Sequence, residues 1–200
     1  MGIGYYNSLV TMQAQGPNLT ASTTATSLLN PQAKVPLPAG FFSYIGQKLK
    51  VIASGRLGNI VTTPGTLQIT FQLGSTGTIV VFDGGQLQLG ATAHTTLPFW
   101  LEIDLTLRAL GTGAEPTANF IGLGKITGQQ FVVTAGTADT VNGGPTTHAT
   151  LLMPNVTPVV GISFDSTIAN VPDLLGKFSL NNANAIQLEQ YELLSPNWGG

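Results

Sequence analysis

The stretch from Pro98 to Leu110 constrains the fold more than any other part of the chain. Phe99, Leu101, Ile103, Leu105 and Leu107 share one parity, and Trp100, Glu102, Asp104, Thr106 and Arg108 share the other. Side chains alternate between the two faces of a strand. A period of two held this long therefore describes a strand with one face buried and the other turned to water or to a partner. At about 3.3 Å per residue it would run roughly 40 Å, enough to cross a whole domain.

Shorter segments repeat the pattern. Thr66 to Leu73 places Leu67, Ile69, Phe71 and Leu73 against Thr66, Gln68, Thr70 and Gln72, and Lys48 to Ile60 starts with Leu49, Val51 and Ala53 against Lys50, Ile52 and Ser54. Further strands are expected at Ala21–Leu29, Thr78–Phe82, Gln86–Leu89, Asn119–Ile126, Gln130–Thr134, Thr150–Met153, Val159–Phe164 and Ala185–Leu194. Gly55 and Gly58 point to a bend or bulge, and Gly122 and Gly124 to a bulge or a close neighbour. Asp83-Gly84-Gly85 reads as a turn, and residues 139–147 as a loop tip. Pro31, Pro36 and Pro38 make an extended connector, after which Phe41, Phe42, Tyr44 and Ile45 look buried. The best helical candidate is a short turn around Val171 to Leu175. About eight to ten strands punctuated by Gly and Pro predict an all-β, antiparallel two-sheet sandwich, jelly-roll-like, over residues 21–200. Residues 1–20 read as an extended N-terminal arm. Tyr5, Tyr6, Leu9 and Met12 are its docking residues, the plainer alternative being a frayed terminus.

Composition then restricts the partners. Only 8% of the 200 residues are charged, against about 25% in a typical soluble domain, while 42% are hydrophobic. Thr, Ser, Asn, Gln and Gly must make most of the surface, and such a surface has little repulsion to keep copies apart. With seven basic residues, none adjacent, and a net charge of -2, the chain has no basic stripe with which to neutralise nucleic acid or an anionic membrane. Cysteine is absent, which removes disulfides and thiolate metal sites. The N-terminal residues lack the features of a signal peptide, and no apolar run reaches the length of a membrane span, so synthesis in the cytoplasm is expected. Asn18-Leu19-Thr20 and Asn155-Val156-Thr157 then read as chance matches to the glycosylation pattern.

Few residues promise chemistry. His94 and His148 have no ligand-spaced partners and read as loop residues. Glu102 and Asp104 share a strand face, an arrangement open to a glycosidase pair, a calcium site or simple charge pairing on an interface, with Lys50 as a cross-strand partner. Gly122-Leu123-Gly124-Lys125 fails as a phosphate loop because Ile126 stands where Ser or Thr would meet magnesium. The reading is a non-enzyme with no cofactor and no metal. Trp100, on the polar face of the long strand, is a sugar-stacking platform, a protein-interface anchor or a ring packed under a loop. Trp198 is placed to fix the C-terminal residues against the domain or a neighbouring subunit.

Four segments together carry a family resemblance: Lys48-Leu49-Lys50-Val51-Ile52-Ala53-Ser54-Gly55-Arg56, Gly65-Thr66-Leu67-Gln68-Ile69-Thr70-Phe71, the strand from Phe99 to Arg108, and Ala185-Ile186-Gln187-Leu188-Glu189-Gln190-Tyr191-Glu192. The chain resembles small tailed-bacteriophage virion proteins over roughly residues 20–194. The resemblance implies a jelly-roll-like sandwich and a particle-bound role such as capsid decoration. It carries over no functional residues. The expectation is a virion protein binding the major capsid protein on the outside of the head, as a homo-oligomer such as a trimer. The alternative is a tail or fibre module that recognises host-surface carbohydrate, and the possible interface residues are Tyr5, Tyr6, Trp100 and Trp198. A third reading, a glycosidase using Glu102 and Asp104, is disfavoured.

Overall fold

A computed structural model describes residues 5–60, 63–111, 118–132 and 149–197. Among the described residues eleven strands lie in chain order: β1 (Tyr5–Thr11), β2 (Leu19–Thr20), β3 (Thr26–Ser27), β4 (Lys48–Asn59), β5 (Thr66–Leu73), β6 (Ile79–Gln88), β7 (His94–Ala109), β8 (Asn119–Gly128), β9 (Ala149–Met153), β10 (Asp173–Phe178) and β11 (Ala185–Asn197). The larger sheet has the order β1-β11-β4-β7-β8-β9, with β2 also on β11, and the smaller one β3-β10-β5-β6. All pairings are antiparallel. The fold is the predicted two-sheet sandwich.

The long alternation is its spine. β7 pairs with β4 from Lys48↔Thr106 to Asn59↔His94, and with β8 on its other side. Leu101, Ile103, Leu105 and Leu107 are fully buried and belong to one core cluster with Leu49 and Val51 of β4, Leu67, Ile69 and Phe71 of β5, and Leu174 and Phe178 of β10. One end of this core is aromatic. Phe120 and Phe164 stack with ring centroids 5.5 Å apart, and Phe42 meets both edge-on.

Within the arm expected over residues 1–20, residues 5–11 form an edge strand on β11, and Val10, Met12 and Leu19 are buried in the core. Several other local expectations are corrected. Residues 171–175 are not helical, because they lead into β10, whose Leu174 and Phe178 face the core. Asp83-Gly84-Gly85 does not end a strand. The chain passes straight through it as β6, with a register shift against β5 nearby and Gly85 at φ +73°. The strand expected over 21–29 shrinks to the two-residue β3, Thr26–Ser27, and Val159–Phe164 makes only isolated bridges through Val160 and Phe164. Tyr44 and Ile45 are exposed, while Phe42 is buried.

The segment after β9 closes the gap between the sheets. Gly161 N–H donates to Phe120 O at 2.9 Å, Ile162 N–H to Val80 O at 2.9 Å, and Phe164 N–H to Ala118 O at 2.8 Å. It thus ties β8 of one sheet to β6 of the other. Such an approach needs glycine: a Cβ on Gly161 would lie 2.0 Å from the Val81 carbonyl oxygen. Asn155 anchors the start of the segment by donating from Nδ2 to Gln86 O.

Candidate functional site

Two surface features stand out. One is the outer face of the larger sheet. Cross-strand register builds it in rows, since opposed residues on one face are neighbours. Gln190, Ser54, Trp100, Thr127 and Thr150 form one row across β11, β4, β7, β8 and β9. Glu192, Ile52, Glu102, Lys125 and Leu152 form the next. A bulge in β11 between Leu188 and Gln190 sets this register.

Trp100 lies at the centre of its row, 42% exposed. Its Nε1–H donates to Glu102 Oε1 at 3.0 Å. Glu102 Oε2 in turn lies 3.4 Å from both Lys50 Nζ and Lys125 Nζ, and Lys50 also reaches Asp104 at 3.7 Å. Burial pushes the Glu102 carboxyl up, but the Trp100 N–H and the two ammonium groups outweigh it and hold the carboxyl below its ordinary value. Lys50 is pulled down by burial and, more strongly, held up by Asp104 and Glu102. Glu102 and Asp104 therefore share Lys50, and Glu102 alone also meets Lys125. Among the described residues no group of three or more His, Cys, Asp or Glu is placed to hold a metal.

Beside the indole is a half-open depression of about 310 Å³, bounded by Ile52, Ser54, Gln190, Glu192, Thr11 and Met12. Ser54 Oγ donates to Gln190 Oε1 at 3.0 Å, and Thr127 and Thr150 join their hydroxyls at 2.9 Å. Tyr6 is exposed, and the register Ser8↔Leu194↔Lys50 puts it on the same side of the sheet as Lys50 and Trp100. Only the backbone of Tyr5 is described, paired with Asn197, and Trp198 and His148 lie outside the described residues, as does the loop tip at 139–147. His94 is not a loop residue but opens β7, half-buried, and desolvation lowers its pKa.

The second feature is missing from the sequence reading. At the closing segment Val156, Val159, Val160 and Ile162 are all exposed, with Ile162 at 62%. Leu152, at 73%, and Leu123 extend the apolar area onto the outer face of β9 and β8. The segment and β6 enclose the larger concavity, about 550 Å³, bordered chiefly by Val80, Phe82, Pro154, Val156, Val160 and Ile162. Singly, exposed valines are ordinary; a cluster of this kind is unusual on the surface of a folded chain. Alternation could not reveal it, because these residues look like one more buried strand.

No family model matches the chain, and no curated protein matches it. Among solved structures, the CBM2 module of the evolved Dit of Lactobacillus casei BL23 phage J-1 aligns over 82% of this chain and 69% of that one, with 11% identity and a TM-score of 0.27. A likeness at that level assigns nothing to this chain.

Proposed function

We propose that the protein is a structural component of a bacteriophage virion, a decoration or cement protein that mounts on the outer surface of the head through the major capsid protein. The observation that carries the mode of attachment is the exposed apolar end, from Leu152 to Ile162 with Leu123 beside it. The virion context comes from the strand motifs quoted above. Covering apolar surface stabilises a contact by about 25 cal/mol per Å², before the costs of association. A partner that binds only the assembled shell stabilises that shell by mass action.

In this reading the protein binds without catalysis, is made in the host cytoplasm and ends in the virion. A homo-oligomer, most simply a trimer, would multiply weak contacts through avidity. The test is co-sedimentation of the purified protein with undecorated capsids at physiological salt, with its mass in solution measured by analytical ultracentrifugation. Saturable pelleting is expected. Absence of pelleting overturns the capsid assignment, and a monomer overturns the avidity argument.

A further inference from the structure

We propose that the face around Trp100 is a binding site for a neutral saccharide, with one pyranose ring seated against the indole and over the depression beside it. This inference does not rest on the attachment surface, and either can fail without the other.

Three observations carry it. The first is that the ring is both exposed and held. The bond to Glu102 fixes its orientation, and Lys50 and Lys125 fix Glu102. A preformed ring loses little freedom when a ligand arrives. An exposed indole face suits the C–H face of a sugar, which is apolar, whereas the sugar's edge is a ring of hydroxyls.

The second is what surrounds the ring. Hydroxyl, amide and carboxylate groups of Ser54, Gln190, Thr127 and Glu192 lie within one or two strand spacings of it. Hydroxyls and amides can both donate and accept, which is what vicinal sugar hydroxyls require. The charges are internally matched: Lys50 and Lys125 face Glu102 and Asp104. Glu192 adds one further carboxylate, so the site has no excess positive charge to hold a phosphate or a sulfate.

The third is size and shape. The depression of about 310 Å³ is at the small end of ligand pockets, about 300–1,000 Å³, and is open along the sheet. It accommodates one ring of a chain whose other rings run over the Thr127 and Thr150 row. The larger concavity at the apolar end has polar groups too, Asp83, Gln86, Asn155 and Thr157, but no exposed indole against which a ring could stack.

The experiment uses the full chain carrying Trp198→Phe, so that Trp100 is the sole tryptophan. Its fluorescence is titrated with neutral oligosaccharides built from glucose, galactose, N-acetylglucosamine and rhamnose. A saturable change with at least one of them is expected. By calorimetry the affinity for that sugar should fall about tenfold or more in Trp100→Ala, and less in Trp100→Tyr, which keeps an aromatic face. Gln190→Ala, on the exposed rim, should weaken binding without altering the thermal midpoint. No saturable response to any sugar overturns the proposal. So does binding that survives Trp100→Ala in a folded protein, because the sugar would then sit elsewhere.

Discussion

Trp100 donates its indole N–H to the carboxylate of Glu102, two residues along the same face of β7, at 3.0 Å. This bond links a titratable group to the orientation of an exposed ring. The folded-state pKa of Glu102 lies below its ordinary value of 4.5, so its stabilisation is fully present above that value and is lost as pH falls through the folded pKa. In the Trp198→Phe background, Trp100 emission should therefore change on acidification below pH 4.5, and Glu102→Gln should abolish the change. A transition above pH 4.5, or the same transition in Glu102→Gln, contradicts the assignment.

Gly161 lets the closing segment lie against β6. A methyl group there would meet the Val81 carbonyl oxygen at 2.0 Å, and the next two atoms it meets are also Val81 backbone. Gly161→Ala should cost about 1–3 kcal/mol in denaturant unfolding. Val160→Ala, at a half-exposed neighbour, should stay within about 0.5 kcal/mol.

Asp173 ties the smaller sheet to the proline-rich connector. Its carboxylate accepts from Ser27 Oγ at 2.6 Å and lies 2.8 Å from Lys34 Nζ. Lys34 remains partly open to water, so breaking the pair should cost less than a fully buried one. Asp173→Ala should lose about 1–3 kcal/mol. A double-mutant cycle with Lys34→Met should return a non-zero coupling energy.

Ile103 is fully buried at the middle of β7. Ile103→Ala should cost about 2–5 kcal/mol, whereas Thr106→Ala on the opposite face should cost little. Thermal midpoints of the two variants give this comparison directly.

The central strands were legible because each carries its own evidence. Phe99 to Leu107 and Leu67 to Leu73 alternate whatever lies beside them, and both alternations point into the core. β1 was not legible. Tyr5–Thr11 is mixed in polarity, and what orders it is pairing with β11 at the other end of the chain. Residues 171–175 misled for a related reason: Val171, Leu174 and Leu175 fit a helical spacing, but β5 was waiting to pair with 173–178. The Trp100 site was half legible. Parity put Trp100, Glu102 and Asp104 on one face and suggested Lys50 across from them, but only the register of β8 and β11 adds Lys125, Gln190 and Glu192. The apolar end was illegible, because a run such as Val159 to Phe164 carries no mark of whether anything covers it.

The central claim, that the apolar end is the attachment surface, is tested most directly by pelleting undecorated capsids with the wild-type protein and with a Leu152→Lys/Ile162→Lys variant. Both positions are exposed, so the variant should keep its thermal midpoint. The account predicts that the wild type sediments with capsids to saturation and that the variant stays in the supernatant. Equal sedimentation of the two proteins would contradict it.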